Sequence, residues 1–253
     1  MKKNVFKIAV FTFLTLFILS CSSENDYNPY SDEVNNPVPT VPVVIAPTPA
    51  KEYNYLALGD SYTIGQSVCE TCRFPEQLKK SLGNIYPANS YFLKIIAQTG
   101  WTTTNLISAI NNQNPNTNYD LVTLLIGVNN QYQNRVFALY EAEFPELVNK
   151  AITLAKGDKS NVIVVSIPDY AYTPYGQQSG NQATISLQID NYNAFAKKYC
   201  MDNSIEFITI TDITRLGLID PNLVAQDGLH PSDKAYTLFV ERILPKAITA
   251  LQN

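Results

Sequence analysis

The chain has 253 residues, 45% of them hydrophobic, with a formal net charge of −4. That length and apolar content allow one domain with a sizeable core. A charge so near neutrality argues against nucleic acid as the partner, which would call for a basic face.

In chain order, the first feature is a leader. Lys2, Lys3 and Lys7 carry positive charge, and the run from Ile8 to Leu19 is nearly apolar, broken only by Thr12 and Thr15. A basic start followed by an apolar stretch too short for a comfortable membrane span reads as an export signal over residues 1–20. The junction Ile18-Leu19-Ser20-Cys21 resembles a bacterial lipobox, which implies that Cys21 is acylated and leads the mature chain. An uncleaved anchor or an ordinary signal peptide is the alternative. Residues 21–52 then turn to Ser, Asn, Asp, Glu and Pro, with Pro37, Pro39, Pro42, Pro47 and Pro49 closely spaced. Proline at this density favours extended polyproline II and denies a packed core, so the segment reads as a tether. Glu24 and Asp26, just after Cys21, are similar to the signal that sends lipoproteins of the Bacteroidota to the cell surface. The expectation is an exported domain, held by lipid at the outer membrane. A lipid tether needs no oligomer, and a monomer is expected.

Beyond the tether, short β-rich runs alternate with helical patterns. Strands are predicted over 53–59, 91–98, 120–126, 161–167 and 205–211, and helices over 75–82, 103–111, 136–155, 184–201 and 232–251. Leu121 to Ile126 and Val162 to Val165 are nearly continuous apolar runs, which suit parallel strands covered on both faces. Pro145 and Pro245 fall inside two of the helices and are expected to kink or split them. In the last helix Ala235, Leu238, Phe239 and Ile243 recur at helical spacing, with Lys234 and Glu241 on other faces. The alternation predicts a three-layer α/β domain with a parallel sheet over residues 53–253. In such a sheet ligands bind beyond the carboxyl ends of the strands, so the residues just after each strand matter most.

Four segments occupy such places. Gly59-Asp60-Ser61-Tyr62 follows the first strand, Gln98-Thr99-Gly100-Trp101 the second and Gly127-Val128-Asn129-Asn130 the third, while Asp227-Gly228-Leu229-His230-Pro231 opens the last helix. Taken singly, each has an ordinary use: Ser61 as a helix cap, His230 as a surface side chain, and Asp227, Gly100 and Asn129 as turn residues. Taken together and in this order, they resemble the signature blocks of the SGNH hydrolases, a branch of the GDSL esterases and lipases. The resemblance implies a flavodoxin-like fold with a five-stranded parallel sheet and an ester hydrolase with a serine nucleophile. It assigns the nucleophile to Ser61, the general base to His230 and the orienting carboxylate to Asp227. Oxyanion donors would be the backbone N–H groups of Ser61 and Gly100 and the side-chain amide of Asn129. His230 is the sole histidine, and a serine hydrolase working near neutrality uses an imidazole as proton carrier, so activity is expected to rise with pH as that ring loses its proton. Pro231 suits the first helical position, which would set His230 just outside the helix. Asp60 is expected to turn the strand end and hold neighbouring backbone. Asn130 departs from the family pattern, where an aspartate is usual, and puts in doubt only the support that carboxylate gives.

Cys69 and Cys72 form a C-x-x-C, open to a redox pair, half a zinc site or a small disulfide. Exported chains oxidise, no second such pair exists and the sole histidine is wanted elsewhere, so a loop disulfide at the mouth of the site is favoured over zinc. Cys200 reads as a buried thiol. No metal or cofactor is called for, since the oxyanion donors come from protein. Trp101 and the loop carrying Tyr170, Tyr172 and Tyr175 could stack on a sugar, although ordinary packing serves equally well. Export, anchoring and aromatic rings favour a glycan ester substrate with a short, acetyl-like acyl group. A lysophospholipase- or thioesterase-like lipid hydrolase is the alternative, and a non-catalytic glycan-binding lipoprotein is the third reading.

Overall fold

Leu121 to Leu125 and Val162 to Val165 are buried residue by residue, as unbroken apolar runs in a sheet covered on both faces must be. The structure, a computed structural model, describes residues 49–252. The leader over 1–20, the acylation expected at Cys21 and most of the tether lie outside the described residues. Five strands, β1 (Glu52–Gly59), β2 (Ser90–Ala97), β3 (Leu121–Leu125), β4 (Val162–Val165) and β5 (Glu206–Ile208), form one sheet in the order β2-β1-β3-β4-β5. Every neighbouring pair is parallel. This is the flavodoxin-like three-layer arrangement expected from the alternation of runs.

Nine α-helices accompany the strands among the described residues: α1 (Ser61–Ile64), α2 (Phe74–Ile85), α3 (Thr103–Gln113), α4 (Val128–Tyr132), α5 (Phe137–Leu154), α6 (Pro174–Gln177), α7 (Gln182–Asp202), α8 (Thr211–Thr214) and α9 (Asp233–Gln252). α2 packs on α9, α3 on α5 and α5 on α7, so the sheet is covered by helices. The buried face of α5 carries Tyr140, Phe144, Leu147, Val148 and Ala151, at helical spacing. Burying side chains of this size is worth roughly 1.5–3 kcal/mol each. That outweighs the single backbone hydrogen bond that a proline deletes, and α5 runs through Pro145 as α9 runs through Pro245, neither helix being split.

The fourth and fifth strands end earlier than the apolar pattern suggests, because side chains take over the backbone's partners. Ser166 still donates its N–H to the Ile208 carbonyl at 2.8 Å, but its hydroxyl then accepts the N–H of Ile210 at 2.8 Å. Ile167 donates its N–H to Asn193 Oδ1 on α7 at 2.8 Å. The chain thus leaves the sheet without stranding a polar group. A second departure concerns Pro231, which does not open the last helix. Ser232 caps α9 instead, accepting the Ala235 N–H on its hydroxyl at 3.2 Å. Pro231 forms an isolated antiparallel bridge with Val224, and Ala225 donates to the His230 carbonyl at 2.7 Å. His230 therefore sits on a two-stranded stub before the helix. Cys200 is fully buried, and burial pushes its thiol up to about 12, which leaves it inert. No helix among the described residues is long and apolar enough to cross a membrane.

Candidate active site

The end of β1 sets the first group. Gly59 lies so close to its neighbours that a Cβ there would meet Thr63 Oγ1 at 2.1 Å and the Leu125 carbonyl at 2.4 Å. Only glycine fits, and the chain can turn at once into α1. Asp60 caps that helix, its Oδ1 accepting the Tyr62 N–H at 3.0 Å. Ser61 is the first helical residue, 3% exposed, at the wall of a cleft of about 180 Å³.

Three more of the expected residues line the same cleft. They are Gly100, Asn129 and His230. Gly100 adopts φ +83°, a left-handed conformation, in open space. What it needs from glycine is therefore backbone freedom, more than the missing Cβ. Asn129, on α4, donates from Nδ2 to the Trp101 carbonyl at 3.0 Å and lies 3.5 Å from Asp60 Oδ2. His230, 7% exposed, turns Nδ1 to Asp227 Oδ2 at 2.6 Å.

Asp227 collects donors. Its Oδ1 accepts the N–H groups of Leu229 at 2.9 Å and His230 at 3.0 Å, and its Oδ2 also accepts the Ser67 hydroxyl at 2.6 Å. Partial burial pushes the carboxyl up, but the hydrogen bonds from Ser67, from the His230 ring and from the backbone together hold it down at about 2. An ionised carboxylate only accepts, so Nδ1 carries the ring proton of a neutral imidazole and Nε2 is left as the basic nitrogen. Such a ring can take a proton from a neighbouring hydroxyl and return it later.

The departure at Asn130 has a local explanation. Asn130 is fully buried, and its Oδ1 accepts the Thr103 N–H at 2.9 Å. Its Nδ2 must then face Thr103 Oγ1, to which it donates at 2.6 Å. The threonine hydroxyl spends its one proton on Glu143 of α5. An aspartate at 130 would compete for that proton. The carboxylate of this network is Glu143, one hydrogen bond beyond Thr103, and the amide is the residue that fits between. The network ties the start of α3 to α4, and so spaces Gly100 from Asn129.

The aromatic residues divide. Tyr170 lines the cleft, and burial pushes its hydroxyl up to about 12 against the pull of the Gln131 amide beside it. Tyr175 stands at the rim, its hydroxyl 2.5 Å from that of Tyr132, which itself lines the cleft. Trp101 and Tyr172 do not line it. Trp101 packs part-buried against the core and offers Asn129 its carbonyl. The Tyr172 ring lies under the Arg215 guanidinium, 5.9 Å from its centroid, and that guanidinium is fixed by Asp169 and Asp190. Cys69 and Cys72 are joined as a disulfide, and neither lines the cleft. The loop before them does reach it: Gln66 accepts the Thr99 hydroxyl at 2.7 Å and Ser67 holds Asp227. Ser67 and Tyr132 carried no signal in the sequence. Ser67 is 160 residues from its partner, and Tyr132 lies in a helix too short to show periodicity.

Comparison with known proteins bears on the fold and on the family. The chain resembles solved structures at 16–21% identity, which establishes the fold. A lipolytic protein of the G-D-S-L family from Veillonella parvula is 21% identical with TM-score 0.57, over 78% of this chain and 97% of that one. The acetylxylan esterase Axe2 from Geobacillus stearothermophilus is 18% identical with TM-score 0.58, over 79% and 95%. The psychrotrophic esterase EstA from Pseudoalteromonas sp., solved with monoethylphosphonate as inhibitor, is 16% identical with TM-score 0.55, over 79% and 100%. No curated protein matches the chain. The pattern of the GDSL-like Lipase/Acylhydrolase family, however, matches residues 57–238, from within β1 into α9. The chain therefore belongs to that family and is a serine hydrolase acting on esters.

Proposed function

We propose that the chain is a carbohydrate esterase, removing acetyl or another small acyl group from a glycan. Ser61 Oγ attacks the acyl carbon while His230 Nε2 takes its proton, and Asp227 steadies the imidazolium that results. The oxyanion is met by the backbone N–H groups of Ser61 and Gly100 and by the Asn129 amide, whose contact with Asp60 is long enough to release one N–H. Collapse of this intermediate expels the sugar alkoxide, which takes the proton from His230. Water then attacks the acyl-enzyme with His230 again as base, freeing the acid and Ser61.

The observation that carries the short-chain reading is the size of the cleft. About 180 Å³, walled by Tyr132, Tyr170, Val128 and Leu229, is below the roughly 300–1,000 Å³ of sites for drug-sized ligands. It suits a small acyl group, and the tyrosines at its rim, Tyr132 and Tyr175, suit a sugar. In this reading residues 1–20 are removed on export, Cys21 bears lipid, residues 21–52 tether the domain over 53–253 to the outer membrane, and the enzyme acts as a monomer at the cell surface.

Hydrolysis of p-nitrophenyl esters from acetate to palmitate tests it. Acetate should be preferred over palmitate, and Ser61→Ala should abolish turnover. A preference for palmitate would transfer the chain to lipid substrates, and turnover surviving in Ser61→Ala would remove the serine mechanism. Acetate release from acetylated glycans then tests the alcohol.

A further inference from the structure

Beside the catalytic cleft lies a second one, of about 350 Å³. Its polar wall is made by Asn134, Arg135, Gln188 and Asn191, and Phe137 and Tyr192 add aromatic surface. The two clefts are neighbours along α4, since Gln131 lines the second and Tyr132 the first. No acidic side chain lines the second cleft.

Arg135 is the unusual member. The chain has four arginines, Arg73, Arg135, Arg215 and Arg242. Three of them face carboxylates, at 3.0 Å from Glu70, 2.9 Å from Asp169 and 2.5 Å from Asp212. Arg135 has no carboxylate among the described residues, in a chain whose net charge is −4. Its guanidinium donates instead to Gln133 Oε1 at 3.3 Å, and Gln133 Nε2 donates to the Gly100 carbonyl at 2.9 Å. The unpaired cation is thus two hydrogen bonds from the glycine that the proposed function makes an oxyanion donor. Planar amides beside aromatic faces suit vicinal hydroxyls, and a guanidinium fork suits a carboxylate.

We infer that this second cleft is a subsite for a carboxylated sugar, so that the ester substrate is an acidic glycan whose uronate residue binds Arg135 while the acylated neighbour enters the cleft at Ser61. The inference rests on the carbohydrate reading and narrows it. The guanidinium pairs with the uronate carboxylate, and Gln188 and Asn191 on α7 are placed to meet ring hydroxyls.

Two measurements on the full chain test it. The first is calorimetric binding of de-esterified trigalacturonate, with xylotriose as the neutral control. Trigalacturonate should bind the more tightly, should lose about tenfold or more in affinity in Arg135→Gln, and should weaken with added salt, as a charge-assisted contact must. Arg135→Lys should retain part of the affinity, since it keeps charge without the fork. Arg135 is exposed, so these substitutions leave the core untouched. The second is the ratio of kcat/KM for acetate release from acetylated polygalacturonate against acetylated xylan. The ratio should exceed one and fall about tenfold in Arg135→Gln. Equal binding of the two trisaccharides, or indifference to Arg135→Gln, overturns the subsite. Acetate release from xylan with no preference for the acidic polymer overturns it while leaving the carbohydrate esterase standing. Release from neither glycan, with p-nitrophenyl acetate still hydrolysed, removes the carbohydrate reading and the subsite together.

Discussion

Asp60 and Asp227 flank one cleft and are held in opposite states. Asp60, at the exit of β1, is fully buried and receives one good hydrogen bond, from Tyr62, and a long one from Asn129. Burial dominates, and its carboxyl is pushed up to about 7. Asp227, before α9, is partly open to water and receives four donors, from the Ser67 hydroxyl, the backbone N–H groups of Leu229 and His230, and His230 Nδ1, and it is held down at about 2. The difference shows that proximity to Ser61 does not make an aspartate the partner of an imidazole. What does so is a set of donors that keeps the group ionised and leaves the imidazole as the only proton carrier.

The strongest way to break this contrast is Asp227→Asn. An amide cannot fix the Nδ1–H tautomer as an anion does, so kcat should fall by about 10³- to 10⁴-fold, as measured by initial rates on p-nitrophenyl acetate. A loss below tenfold would make Asp227 a spectator. Next comes the buried network that spaces Gly100 from Asn129, the proposed oxyanion donors. Asn130→Asp sets two carboxylates on the single Thr103 proton and should lower stability by about 1–3 kcal/mol in denaturant melts, with a fall in kcat; adding Glu143→Gln should recover most of both. Failure of the second change to rescue the first would show that Glu143 is not the competitor for the Thr103 proton.

A smaller effect is expected from Ser67→Ala. Removing one donor lets the Asp227 carboxyl rise from about 2 toward its ordinary value, so the stability that Asp227 contributes should be lost at a higher pH in acid-unfolding curves, with a rate loss of up to about tenfold near neutrality. An unmoved acid-unfolding midpoint would mean the remaining donors suffice. The mildest test is Asp60→Asn. The folded chain keeps a proton on Asp60 up to about 7, whereas the unfolded chain releases it near 3.9. Between those values the native state binds more protons, so this group's contribution to stability is full below about 4 and is lost as pH rises through about 7. The variant should flatten that decline, read as melting temperature against pH. Asp227 has the opposite sign: its contribution is present above about 4 and is lost as pH falls through about 2.

The sheet was legible because unbroken apolar runs suit covered parallel strands, and the residues at its carboxyl edge because four blocks in order resemble those of a known family, each block alone having an ordinary use. Ser61, Gly100, Asn129 and His230 do gather at one cleft. Boundaries were less legible where side chains replace backbone partners, as at Ser166 and Asn193, and where Ser232 capped α9 ahead of Pro231. Long-range partnerships left no trace at all. Nothing in the local pattern shows that Ser67 will serve Asp227, that Tyr172 will be claimed by Arg215, or that Glu143 will make an asparagine at 130 the better fit. These depend on which elements become neighbours, and a periodic pattern says which face is apolar without saying what it meets.

The hydrogen bond between Ser67 and Asp227 joins positions 160 residues apart, and Gln77 on α2 likewise accepts the Thr237 hydroxyl of α9. During synthesis Ser61, the proposed nucleophile, emerges long before His230, the proposed base, and no fragment lacking the stub around His230 holds both. Contacts of such sequence separation carry a loop-closure cost and slow folding. Under the proposed mechanism a chain cut short of His230 hydrolyses no ester, so ester turnover would itself report that the two ends of the domain have met.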